Sequence, residues 1–244
     1  MRLRILAFAA LLPLVFLAGC PGKDSPTSPE GGSPPGVTVS RSTAHFDLEY
    51  DPRDSGKMPA YESALEDNYE RILNDLEVTG LPRVYGRFYP DQASFDAAFN
   101  WAAGEKGLVL DVDDFRVVTV PFDPIAPVHE FTHCASLSID IDAFQVVWLW
   151  ESVAVWETGA FVPPSSVPCV ANGELPTLER LNQRDPACSV YDLGYTIGEL
   201  IVQRWGPSAL HDLLAAHGDI RGVLGISVAR FEADWHTFLK QSYL

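Results

Sequence analysis

Glu151 sits at the centre of "FQVVWLWESVAVWETG", residues 144–159, with Trp148, Leu149 and Trp150 before it and Val153, Val155 and Trp156 after it. A helix that is apolar on every side is a buried one. An unpaired carboxylate buried there costs several kcal/mol, so the fold must supply a cation or a proton. No lysine or arginine occurs between Arg116 and Arg180. The expected positive partner is therefore a bound metal ion, which would tie this helix to whatever segment carries the other ligands.

That segment is "PVHEFTHCASLSID", residues 127–140. On a helix, His129 and His133 stand one turn apart on the same face, so their imidazoles can converge on one ion. Pro127 suits a first helical turn, where a missing N–H costs nothing. Two histidines and one carboxylate around a single Zn2+, with a fourth position open to water, is the hydrolytic pattern. The expected metal ligands are His129, His133 and Glu151, and Glu130 beside them is the expected general base. The bland alternative is a helix whose histidines merely cap or pair with acids.

The combination of "HEFTH" with "WLWESVA" (Trp148 to Ala154), whose glutamate follows His133 by eighteen residues, resembles the gluzincin metallopeptidases of the MA-like and aminopeptidase-like branch. The resemblance implies a zincin-like domain with Glu151 as third zinc ligand. Downstream, "YDLGYTIGELIVQRWGPSALHDLLAA" is similar to the helix that follows the active site in that branch, which would make Tyr191 the oxyanion donor. Tyr195, His211 and His217 are the lesser candidates for that role. The chain also departs from the family. It has no G-x-M-E-N-like stretch, so the expected reaction is endopeptidase-like rather than trimming from a free amino terminus. Ser152 stands where glycine is usual, and Val155 where many members carry an acid that orients a zinc histidine. Glu157, Asp140 or Asp142 would have to orient it instead.

Ahead of this part, Arg2, Arg4 and the apolar run "ILAFAALLPLVFLAG" have secretory-leader form and are too short for a comfortable membrane span. The leader ends in "LAGC", which resembles a bacterial lipobox with Cys20 as the lipidated residue. Residues 1–19 are thus expected to be a signal peptide. Residues 20–37, rich in Pro, Gly and Ser, form a tether with nothing to bury, and residues 38–244 one globular domain. Losing two arginines and no acids with the leader takes the formal charge from −16 to −18. Such a chain is poorly suited to nucleic acid or to electrostatic adhesion on anionic lipid, leaving the acyl anchor as the membrane attachment. The expected location is the bacterial cell envelope, outside the cytoplasm. In that oxidising setting Cys169 and Cys188 are the favoured disulfide, with Cys134 a buried thiol.

Strand patterns fall at residues 37–51, 83–90 and 113–124, and helical patterns at 58–78 and 91–104. Further helices are expected near 126–138, 143–158, 191–204, 207–217 and 228–241. The fold class is therefore α+β: a small mixed sheet, then a helical half, with the active-site cleft between. "FRVVTV", residues 115–120, reads as an edge strand to which an extended peptide could add. Trp148, Trp150 and Trp156 read as core, and His45 and His236 as structural. The expected function is zinc-dependent hydrolysis of peptide or protein substrates by a lipid-anchored enzyme. The alternative is a zinc-binding or structural lipoprotein of the same fold without turnover.

Overall fold

The computed structural model describes residues 38–244, so the leader, Cys20 and the tether lie outside the described residues. The chain begins with β1 (Val39–Ser42) and β2 (Phe46–Tyr50), continues through α1 (Met58–Asp75) to β3 (Val84–Tyr89), and then through the short α2 (Gln92–Ala98) to β4 (Gly107–Asp111) and β5 (Asp114–Val118). The five strands form one mixed sheet in the order β1-β2-β3-β5-β4. β2, β3 and β5 run parallel, and β1 and β4 are antiparallel to their neighbours. Parallel neighbours need a crossover, and α1 and α2 provide them.

Alternation along the strands decides which face is covered. Phe46, Leu48, Phe88, Phe115 and Val117 point inward and are buried. Tyr61, Leu65, Tyr69 and Ile72 of α1 recur at helical spacing and cover them. The outward positions, Glu49, Arg87 and Arg116, are charged and only half-buried.

The sheet order corrects one expectation. Residues 115–120 do not form the edge: β5 lies inside the sheet, and the edge beside it is β4, within a segment that the strand pattern left unassigned. "GLVLDVDDFRVV" is a hairpin, with the turn at Val112 and Asp113 and β4 paired along β5.

The helical half opens with α3 (Ala126–Ile139), whose Phe131 meets Phe46 of β2 edge-on with ring centroids 5.2 Å apart. After a 3-10 turn at Ala143–Gln145 comes α4 (Val147–Thr158), ended by Gly159 in the left-handed conformation, φ 65°. Trp148, Trp150 and Val153 of α4 are buried, as an all-apolar helix requires. Two short helices follow, α5 (Pro168–Ala171) and α6 (Leu178–Asn182), and then α7 (Val190–Trp205), α8 (Ser208–Ala215), α9 (Ile220–Leu224) and α10 (Val228–Ser242). The protein is thus a mixed α/β structure with a five-stranded sheet and, among the described residues, ten helices. No helix among the described residues is long and apolar enough to cross a membrane.

α4 and α7 pack closely through small residues. Gly194 of α7 faces the backbone of Ser152, and Gly198 faces Trp156 one turn on. Ser152 is accommodated against α7 because the residue facing it there, Gly194, has no side chain. Its hydroxyl donates to the Trp148 carbonyl at 2.5 Å and leaves no buried polar group unpaired.

Candidate metal centre

α3 carries His129 and His133 one turn apart, and α4 brings Glu151 to meet them. The two Nε2 atoms are 3.1 Å apart, and each lies 3.3 Å from Oε2 of Glu151. Among the described residues these three are the one group of His, Cys, Asp or Glu side chains whose ligand atoms gather closely enough to hold an ion. A tetrahedral ion with bonds of about 2.0–2.1 Å sets its ligands about 3.3 Å apart. The triangle of donor atoms has that size, and its donor set is two imidazole nitrogens and a carboxylate oxygen. The residues therefore fit a small divalent metal ion.

Electrostatics prepares the same atoms. Burial pushes the His133 imidazole down to about 4, against the pull of Glu151, which favours its uncharged form, the form a metal would need. Burial also resists charge on His129, but the Glu151 hydrogen bond and the nearby Glu130 carboxylate outweigh it and raise its pKa. In Glu151 the penalty of burial is overcome by His129 and His133, which hold the carboxyl well below the usual range. The His133 ring stacks on Trp150, with centroids 4.0 Å apart and planes 4° from parallel, so its orientation is fixed by packing. Its Nδ1 is buried and has no hydrogen-bond partner.

None of the acids expected to orient a histidine does so. Glu157 pairs with Arg71 at 2.6 Å, Asp140 lies 2.8 Å from His217 Nδ1, and Asp142 accepts from Gln145 at 2.9 Å. Stacking takes the place of a carboxylate here.

A second correction concerns the charge on Glu151. Arg184 reaches it: Nη2 donates to Oε1 at 3.2 Å, while Nη1 lies 3.5 Å from Glu105 Oε1. The absence of basic residues near Glu151 in sequence did not translate into absence in space. Residues after α6 turn through Arg184, at a left-handed φ of 52°, and return to α4. The arginine takes one carboxylate oxygen and leaves the other facing the histidines.

Tyr191 is also in the site. Its hydroxyl donates to the same Oε1 at 3.0 Å, and its ring lies 6.3 Å from that of His129. Burial and then the Glu151 charge raise the phenol well above its ordinary value, so it remains a proton donor. Tyr195 instead packs on Trp156 and Phe161. His211 neighbours Asp212, His45 stacks on Tyr69, and His236 bonds to the Pro176 carbonyl. Cys169 and Cys188 are joined in a disulfide, and Cys134 is a buried free thiol.

Glu130 lies beside the triangle, half-buried, and the start of β4 presses on it. A Cβ placed on Gly107 would come within 2.2 Å of Glu130 Oε1. Burial pushes this carboxyl up to about 8, opposed by His129 and reinforced by Glu151 and Glu105. Gly107, Arg184 and Glu105 carried no sequence signal of their own, because each acquires its role from contacts across the fold.

No protein-family model matches the chain, and no curated protein matches it.

Proposed function

We propose that the protein is a zinc-dependent peptidase, an endopeptidase of the gluzincin type with a zincin-like fold, acting on peptides or proteins. The observation that carries this reading is the convergence of His129, His133 and Glu151 at tetrahedral spacing with Glu130 adjoining them. A bound zinc ion supplies Lewis acidity and makes water a stronger acid. Glu130 adjoins the three residues that would hold the ion, and its carboxylate form would take a proton from the attacking water and hand it to the departing amine. Tyr191, a neutral donor at the rim, is the residue to stabilise a developing oxyanion once it swings from Glu151. The edge of β4 starts against Glu130, so an extended peptide added there as another strand runs past the base.

We further infer that Cys20 bears lipid and that residues 20–37 hold the domain off a membrane of the bacterial envelope, outside the cytoplasm. The leader, the "LAGC" sequence and the disulfide support this together. Its test is metabolic labelling with a fatty acid, which Cys20→Ser is expected to abolish.

One observation favours a second reading, a zinc-binding or structural lipoprotein without turnover. Oε1 of Glu151 already holds both Arg184 and the hydroxyl of Tyr191. The deciding experiment is hydrolysis of casein and a peptide library by the full chain, with and without chelator, beside Glu130→Gln. The peptidase reading expects one zinc per chain and activity abolished by either treatment. One zinc with no hydrolysis supports the binding protein, and no metal at all sinks both metal readings.

A further inference from the structure

We propose that Arg184 is a positioning residue for the metal centre: its guanidinium holds Oε1 of Glu151 so that Oε2 alone faces the ion. The proposal rests on the metal-site reading above and adds to it how one carboxylate is kept a single-oxygen ligand.

A glutamate can offer a metal one oxygen or both. A catalytic ion needs open positions for water and substrate, and a second glutamate oxygen would occupy one. In this protein Oε2 of Glu151 lies 3.3 Å from both histidine Nε2 atoms. Oε1 is turned away and accepts from Arg184 Nη2 at 3.2 Å and from the Tyr191 hydroxyl at 3.0 Å. The tyrosine donor sits on an exposed ring and is the one proposed to leave for substrate. Arg184 is the donor that stays.

The segment around Arg184 is built to keep it there. Just before it, Asn182 Oδ1 accepts from the Trp148 backbone N–H at 2.9 Å, fastening α6 to the first turn of the helix that carries Glu151. Just after it, Asp185 accepts from Arg180 Nε at 2.6 Å, and Cys188 is tied to Cys169. Between these anchors Arg184 takes a left-handed backbone, φ 52°, which residues with a side chain rarely adopt. The other arm of the guanidinium lies 3.5 Å from Glu105, on the loop leading into β4. One planar fork thus links the carboxylate on α4 to the loop leading into β4. A lysine at this position keeps the charge but is a point donor and cannot hold both carboxylates in one plane.

The test uses the full chain with Arg184→Met and Arg184→Lys, and two readouts that do not depend on turnover. Zinc affinity is measured by competition with a chromophoric chelator, and Co2+ replaces zinc for its visible absorption spectrum. Arg184→Met is expected to weaken zinc binding about tenfold and to lower the cobalt band intensity, as Oε1 joins the ion and coordination rises. Arg184→Lys is expected to fall between the two. Zinc affinity and cobalt spectrum both unchanged in Arg184→Met would overturn the proposal. Should circular dichroism show Arg184→Met unfolded, Arg184→Lys decides on the same readouts, an unchanged spectrum again counting against the role. A wild-type chain that binds neither metal overturns the metal site itself, which is distinct from a wild type that binds and a variant that binds alike.

Discussion

Gly107 of β4 and Glu130 of α3 are in such close approach that a methyl group on the glycine would lie 2.2 Å from Glu130 Oε1 and 2.5 Å from its carboxyl carbon. The edge strand and the proposed base thereby fix each other's position. Under the proposed function, an extended chain added along β4 would pass this carboxylate.

Gly107→Ala therefore tests the geometry of the base. The atoms in the way belong to the end of a flexible side chain, so relief comes from Glu130 swinging aside rather than from the backbone moving. Stability should change by about 1 kcal/mol or less. Metal content should be unaltered, while kcat falls on the order of a hundredfold for a displaced base. Unfolding curves, metal analysis and peptide hydrolysis on one preparation check all three, and undiminished kcat would remove Glu130 from the role.

Gly198→Ala provides the opposite case. A Cβ there meets Cβ of Trp156 at 2.6 Å and its ring carbon at 2.9 Å, atoms held close to the α4 backbone. No flexible end can yield, so α4 and α7 must separate. Overpacking of this kind costs about 1–3 kcal/mol, partly offset by the better helix propensity of alanine, about 1 kcal/mol. The expected result is a net loss of stability in urea unfolding. A variant as stable as wild type would mean that the two helices are less firmly packed than their distance implies.

Much of the candidate site could be read from residue order because its residues obey local rules. His129 and His133 are one helical turn apart wherever a helix forms there, and the helix runs over Ala126–Ile139. The buried carboxylate was evident from the tryptophans and valines around Glu151. What could not be read depends on distant pairing. The edge position of β4 is set by strand order, and "FRVVTV" looks the same inside a sheet as at its rim. Arg184 follows Glu151 by thirty-three residues and itself takes the left-handed position of the turn, where a glycine would have announced it. The orienting acids expected beside the histidines are engaged elsewhere, and stacking on Trp150 needs only a contact that no spacing rule encodes.

Glu151→Gln separates the charge of the proposed third ligand from its volume. The amide can still accept from Arg184 and Tyr191, but it binds a divalent ion poorly and leaves the guanidinium without a charged partner at that arm. Zinc affinity should fall by about a hundredfold or more. The metal-free protein should lose roughly 1–3 kcal/mol, the scale for a charged hydrogen bond weakened where it is buried. Chelator competition and unfolding in the presence of excess chelator measure the two effects separately. Retained zinc affinity would take Glu151 out of the ligand set.

Glu157, at the far end of α4, gives a pH dependence of stability that is independent of metal. Its side chain is 1% exposed, its Oε2 lies 2.6 Å from Arg71 Nη1, and its Oε1 is buried without a hydrogen-bond partner. Burial pushes the carboxyl from the ordinary 4.5 up to about 7; Arg71 opposes this and Asp75 adds to it. The folded chain thus holds a proton that the unfolded chain has released between those values, and stability falls as pH rises across that interval. Below pH 4.5 the group's contribution is fully present, and above 7 it is lost. The shift corresponds to roughly 1–3 kcal/mol, discounted because Arg71 is 42% exposed and partly screened by solvent. Glu157→Gln keeps an acceptor for Arg71 and has no proton to lose. The variant should therefore be more stable than wild type above pH 7, with the difference shrinking toward zero near pH 4.5. Urea unfolding of both proteins at matched pH values reads this directly, and curves that run parallel through the interval would show that Glu157 is ionised in the folded protein throughout.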